Sequence, residues 1–215
     1  MLELIAHRGM PRLARENTLV SFDLALKHGA DAIELDVHVS ADAIVVVNHD
    51  AELPDATPIS SLSASELARY GVPTLDEVCE LVGDRATLYV EAKARRSASP
   101  IVECLTGQTV RAAVHSFDYQ VVDAVRALAP GLPVGLLVAS RDADAVALAR
   151  KHAARDVWPA VELIDARLVD AIHALGTRVI AWTANDVNDA RRLHELGVDG
   201  LCTDDVRAMR AALAI

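Results

Sequence analysis

The sequence predicts an α/β fold: a single domain, residues 1–215, closed as a (β/α)8 barrel of the TIM type. Three observations lead there. Short apolar runs alternate with amphipathic, alanine-rich stretches along the whole chain. The runs are apolar throughout rather than at every second residue, as in strands buried on both faces of a parallel sheet. Eight such runs and a weaker ninth fit into 215 residues, which favours a closed barrel over an open sheet.

The runs lie at 3–7, 32–37, 44–48, 87–92, 110–115, 133–138, 178–183 and 199–203, and 157–161 is the weaker ninth. The stretches 18–28, 74–82, 97–105, 118–129, 142–152, 165–175, 186–196 and 205–214 read as helices. Thr74 with Glu77 three residues on makes a capping box, and Asp118, Asp142, Asp165 and Asp186 stand where N-caps belong. Gly29, Gly176 and Gly197 follow helical patterns, where a left-handed residue ends a helix at little cost. Residues 37–43 are too few for a crossover helix, so that return is extended, and one of the nine runs is not a barrel stave. Residues 51–73, with Pro54, Pro58, Pro73 and a group of serines, read as the one real loop, short and near the barrel mouth.

Composition narrows the function. Thirty-one acidic against 21 basic side chains give a net charge of −10, which argues against a nucleic-acid partner. No apolar run is long enough to span a bilayer, and no basic leader precedes the first strand, so the expected location is the cytoplasm. Cys79, Cys104 and Cys202 form no CxxC pair, which argues against a zinc knuckle or a disulfide framework.

In such a barrel the active site gathers at the carboxyl ends of the strands. There the sequence places His7-Arg8-Gly9, Glu34 with Asp36, His49-Asp50, Glu91 with Lys93, His115-Ser116-Phe117, Trp182 and Thr203-Asp204. Glu34 and Asp36 are two apart and share a side of their strand, and so do Glu91 and Lys93. Three converging carboxylates would not all ionise without a cation, and oxygen donors suit Mg²⁺ or Ca²⁺. The alternative is a set of ion pairs capping the barrel. His7 and His49 have the chemistry to exchange protons near neutral pH. Arg8 and Lys93 suit a phosphoryl oxygen. Trp182 reads equally as core packing or as a contact with substrate carbons. His38 and His115 are placed where they could line the site, whereas His28, His152, His173 and His194 read as solvent-facing.

Taken in order, His7-Arg8-Gly9, Glu16-Asn17-Thr18, Glu34-Leu35-Asp36-Val37, His49-Asp50, Pro73-Thr74-Leu75-Asp76-Glu77, Glu91-Ala92-Lys93, Ser116-Phe117, Trp182-Thr183-Ala184-Asn185 and Gly200-Leu201-Cys202-Thr203-Asp204 resemble the glycerophosphodiester phosphodiesterases, within the phospholipase-C-like barrels. The resemblance runs from end to end of the chain. It implies metal-dependent hydrolysis of a small-molecule glycerophosphodiester to an alcohol and sn-glycerol 3-phosphate. By the same resemblance, Glu34, Asp36 and Glu91 bind the metal, His7 and His49 are catalytic, and Arg8 and Lys93 hold phosphate. Trp182 contacts the glycerol, and Glu16 and Asn17 brace the site. Two departures stand out. Residues 51–72 lack the longer, Thr/Gly-rich cover that follows His-Asp in the family, and Val206 stands where proline is common. A lyase that stops at a cyclic phosphate, a hydrolase whose histidines bind two transition metals, and a non-catalytic binding barrel are the alternatives. The second usually opens with His-x-His, and the first strand offers His7 alone.

Overall fold

The computed structural model of the chain describes residues 2–141 and 143–215. Nine strands form one sheet: β1 (Glu3–His7), β2 (Ala32–Val39), β3 (Val45–Val47), β4 (Thr87–Ala92), β5 (Arg111–Ser116), β6 (Val134–Val138), β7 (Asp156–Pro159), β8 (Arg178–Ala181) and β9 (Gly200–Thr203). All but β3 are parallel and follow one another around a ring, which the pairings of β1 with both β9 and β2 close. The result is the predicted eight-stranded barrel, and the weak ninth run is a true stave, β7.

The run outside the wall is β3. It pairs only with β2, antiparallel, with Val37 opposite Val47. Its three valines are all buried because the strand is covered on two sides. Val45 and Val47 join the main core, and Val46 joins a separate cluster with Leu53, Ile59, Leu67 and Val72. That cluster also accounts for residues 51–73, which are not a bare loop. They hold two 3-10 turns, Ile59–Ser61 and Ala68–Tyr70, around the short helix α2 (Ala64–Leu67), whose N-cap Ser63 forms a capping box with Glu66. Four apolar side chains need cover, and Val46 supplies it.

Helices surround the barrel: α1 (Leu19–Lys27), α3 (Leu75–Val82), α4 (Ala98–Leu105), α5 (Tyr119–Leu128), α6 (Ala145–His152), α7 (Ala166–His173), α8 (Val187–Glu195) and α9 (Val206–Leu213). The Thr74–Glu77 capping box forms, and Asp118, Asp165 and Asp186 cap α5, α7 and α8. Asp142 lies outside the described residues, and Asp144 caps α6. Gly29, Gly176 and Gly197 are left-handed, as their place after helices predicts. His152, expected at the surface, is buried, and its Nδ1 pairs with Asp123 at 2.9 Å.

The barrel interior is layered by the two-residue period of a strand. One layer takes a side chain from each stave: Ile5, Ala32, Tyr89, Ala113, Leu137, Trp158, Ile180 and Cys202. Towards the amino ends, the Tyr89 hydroxyl donates to Glu3 at 2.9 Å and accepts from Arg178 at 3.0 Å, with Asp156 beside them, which closes that end. Towards the carboxyl ends, two residues beyond the same layer, stand His7, Glu34, Glu91, His115, Trp182 and Asp204.

A sharp turn after β1 begins this upper layer. Gly9 has φ +89°, and a Cβ there would lie 2.4 Å from Ser21 Oγ and 2.8 Å from the Ser21 carbonyl carbon. Ser21 Oγ in turn accepts from the Met10 N–H at 2.7 Å and donates to the Arg8 carbonyl at 3.2 Å. Gly9→Ala should therefore lower unfolding free energy by about 1 kcal/mol or more, read as the urea midpoint. An unchanged midpoint would contradict this reading of the turn.

Candidate active site at the carboxyl ends of the strands

The upper layer encloses a cavity of about 130 Å³, lined by His7, Arg8, Glu34, His49, Glu91 and Lys93 together with His115, Phe117 and Trp182. Behind two of its lining residues, Arg8 and Lys93, lies Asp36, which is fully buried and does not itself line the cavity. Lys93 Nζ lies 2.7 Å from Asp36 Oδ1 and 2.7 Å from Glu91 Oε1, so one ammonium serves two carboxylates. Arg8 Nε lies 3.1 Å from Asp36 Oδ2, and Asn17 Nδ2 donates to the same oxygen at 2.8 Å. Burial alone would raise the pKa of Asp36, but Lys93 and then Arg8 outweigh it and hold the carboxyl at about 2. Burial likewise lowers the tendency of Lys93 and Arg8 to stay charged, and their carboxylate neighbours reverse this, so both pKa values are raised.

Glu16 and Asn17, expected to brace the site, bond to Arg8 and Asp36. Glu16 accepts from Arg8 Nη1 at 3.0 Å, and the Asn17 side chain spans the Asp36 carboxylate and its backbone N–H. Arg8 and Asn17 both have φ +54°, an uncommon conformation for residues with a side chain. Backbone bonds hold it: Arg8 N–H to the Glu34 carbonyl at 2.9 Å, and Asn17 N–H to the Arg8 carbonyl at 3.0 Å.

Both expected proton-exchanging histidines have a carboxylate on Nδ1, which leaves Nε2 for chemistry. His7 pairs with Asp204 at 2.7 Å and His49 with Asp50 at 2.8 Å. Asp204 is itself held by Asn185, through Nδ2 at 2.6 Å and through the Asp204 N–H to Asn185 Oδ1 at 2.9 Å. Burial works against charge on His7, but the Asp204 bond and the Glu34 charge prevail, and its pKa is raised. His38 is not among the lining residues. It bonds the His49 carbonyl through Nε2 at 3.0 Å and steadies that residue's backbone. Asp204 and Asn185 were visible only as parts of motifs; their service to His7 needs β9 closed against β1.

Trp182 stands on the wall opposite the carboxylates, its Nε1–H donated to the Trp158 carbonyl at 2.8 Å. Phe117 meets it edge-on at 5.5 Å and is 44% exposed, an apolar surface beside a charged one. Glu34, Glu91 and His115 each offer a donor atom, all within 4.8 Å of one another, and so form a group able to hold a metal ion. Asp36, expected as a third ligand, falls outside that group. Its oxygens are engaged by Lys93 on one side and by Arg8 and Asn17 on the other. Among the described residues no helix is long and apolar enough to cross a membrane.

Residues 7–208 match the glycerophosphoryl diester phosphodiesterase family. The glycerophosphodiester phosphodiesterase of Caldanaerobacter subterraneus subsp. tengcongensis is 31% identical over 94% of this chain and 93% of its own length. Among solved structures, a phosphodiesterase of Oleispira antarctica in complex with the product sn-glycerol 3-phosphate superposes with a TM-score of 0.91 at 26% identity, covering 99% of this chain and 97% of its own. The glycerophosphodiester phosphodiesterase of Thermotoga maritima superposes with a TM-score of 0.88, also at 26% identity and covering 98% of each chain.

The buried Asp36 makes stability depend on pH. Its carboxyl ionises near pH 2 in the folded chain and near about 4 in an unfolded one. The stabilisation is therefore complete above about pH 4 and fades as pH falls towards 2, and it amounts to about 2 kcal/mol. Asp36→Asn should unfold in urea more readily than wild type by that order at pH 7. The gap should narrow between pH 4 and 2.5 and would be misattributed if it stayed constant.

Proposed function

Because the chain belongs to the glycerophosphoryl diester phosphodiesterase family, we propose that it hydrolyses glycerophosphodiesters to an alcohol and sn-glycerol 3-phosphate by metal-assisted, two-histidine catalysis. It is a phosphoric diester hydrolase. The observation that carries the finer reading is the meeting, in one cavity, of two carboxylate-oriented histidines, two cations and a pair of buried carboxylates. The cavity draws on residues from His7 to Cys202, which supports treating the whole chain as one domain.

The residues fit a divalent cation. Glu34 and Glu91 are buried, and the Glu91 carboxyl is raised by burial that Lys93 only partly offsets. Glu34 and Glu91 would hold the ion, while Asp36, expected as a further ligand, stays with Lys93, Arg8 and Asn17 beside them; oxygen donors of this kind suit Mg²⁺ or Ca²⁺. When bound, it would supply positive charge to a non-bridging phosphoryl oxygen.

Arg8 and Lys93 are each about one-fifth exposed and border the cavity, so both can also meet the phosphate of the diester. They neutralise charge as it builds on the phosphoryl oxygens. His7, whose Nδ1 is fixed by Asp204, holds its proton on Nε2 and gives it to the leaving alkoxide. Its raised pKa suits the acid role. His49, oriented by Asp50, takes the proton of the nucleophile, either water or the neighbouring glycerol hydroxyl. Phe117 and Trp182 give the glycerol carbons an apolar wall.

The deciding experiment is release of glycerol 3-phosphate from a panel of glycerophosphodiesters with Mg²⁺, with Ca²⁺ and with chelator, and phosphorus NMR of the products. Release should depend on the divalent ion; full turnover after exhaustive chelation would refute the metal role, and a cyclic phosphate as the end product would make the enzyme a lyase. His7→Ala and His49→Ala should each lower kcat by about 10²- to 10⁴-fold with an unchanged circular dichroism spectrum. Wild-type turnover in either variant would remove that histidine from the mechanism. Residues 51–73 give the cavity no lining side chain, so little is left to read the alcohol. Glycerophosphocholine, glycerophosphoethanolamine and glycerophosphoglycerol should then differ in kcat/KM by no more than about tenfold. A far larger preference that persists in high salt would show that the head group is read after all.

A further inference from the structure

His115 has no place in the mechanism above, yet it is the most unusual histidine in the chain. It lies on β5 directly across from Glu91 and is 1% exposed. Neither of its ring nitrogens has a hydrogen-bond partner among the described residues. A buried imidazole carries one N–H and one lone pair, and native interiors rarely leave both unmet. The ring has little freedom to find a partner elsewhere. Trp158 meets it edge-on at 4.4 Å, and Tyr89 stacks at 6.3 Å on the layer below.

One ring nitrogen faces a carboxylate oxygen without bonding to it. Nε2 is 3.5 Å from Glu34 Oε1, in a geometry that does not make a hydrogen bond. Ligand atoms bound about 2.0–2.2 Å from a single ion stand roughly 3 to 4.4 Å from one another. The separation therefore suits two atoms that share an ion, and the donors of Glu34, Glu91 and His115 all fall within 4.8 Å. Glu91 gives one oxygen to Lys93 and has a second for the ion.

We propose that His115 is a nitrogen ligand of the cation held by Glu34 and Glu91, and that it turns the preference of the site from Mg²⁺ and Ca²⁺ towards first-row transition ions, of which Mn²⁺ is the probe used below. This rests on the reading that the cavity holds a divalent cation, and it adds which class of ion and why. Mg²⁺ and Ca²⁺ are hard ions that take oxygen almost exclusively, whereas an imidazole is a good ligand for first-row transition ions. Carboxylates with a single imidazole make a mixed donor set that Mn²⁺ accepts.

The test is pulsed electron paramagnetic resonance of the full-length protein loaded with Mn²⁺, with calorimetric titration of Mn²⁺ and Ca²⁺ on wild type and His115→Gln. The wild-type spectrum should carry the ¹⁴N modulation of a directly bound imidazole, and His115→Gln should lose it. The variant should also bind Mn²⁺ about tenfold or more weakly and Ca²⁺ nearly as before. Absence of nitrogen modulation in the Mn²⁺-loaded wild type would overturn the proposal even if the variant failed to fold. So would modulation that persists in the variant, which would assign the nitrogen to another histidine, or an equal loss of affinity for both ions. Binding of both ions without nitrogen modulation would leave the cation reading intact and remove only His115. Binding of neither ion to wild type would sink both.

Discussion

The carboxylate of Asp36 stays ionised with no surface in contact with water, and that condition organises the carboxyl end of the barrel. An uncompensated buried charge of this kind would take up a proton instead. Lys93, Arg8 and Asn17 prevent it, and each comes from a different part of the chain. Lys93 must follow Glu91 by two residues to reach both carboxylates. Arg8 must turn back over β2, which requires its left-handed backbone and the glycine after it. Glu16 and Asn17 then fix the loop that carries the turn. The segments at 8–17, 34–36 and 91–93 are locked to one another through a single carboxylate, and two cations are left at the cavity wall.

Closure of the sheet supplies the rest. Every stave presents one side chain to the inner layer, and on β1, β2, β4, β5 and β8 the next residue on the same side lines the cavity. The opposite end is sealed by Glu3, Tyr89, Asp156 and Arg178, where burial pushes the Tyr89 hydroxyl and the Asp156 carboxyl up. The barrel thus has one accessible polar end. Its other polar network is tied up internally, in keeping with the division between chemistry and stability at the two faces of such barrels.

Much of this was legible in the sequence because strand polarity is. A charged residue at the end of an apolar run, two residues past a buried one, has to lie at the rim on the inner side. That places His7, Glu34 and Glu91 from the sequence alone, whereas Trp182 could equally have been core. What the sequence withheld depends on long-range contact. Asp204 is 197 positions from His7 and meets it only when β9 closes on β1. Only distances separate Asp36, which is tied to Lys93, Arg8 and Asn17, from Glu34 and Glu91, which are grouped with His115. His115 looked like any strand-end histidine, because a lack of hydrogen-bond partners leaves no mark in a sequence. β3 was indistinguishable from a stave because Val46 is covered by residues 51–73, whose apolar positions are spread among prolines and serines and show no period.

The proposed chemistry requires the rim to bind a cation and a phosphate ester as one unit, with Arg8 and Lys93 serving the anion once the cation serves the carboxylates. Calorimetric titration of sn-glycerol 3-phosphate into the protein, with and without a saturating divalent ion, tests this most directly, because it reads binding apart from turnover. The expected result is an affinity about tenfold or more higher with the ion present, a coupling of about 1.4 kcal/mol. Equal affinity with and without the ion would contradict a shared site.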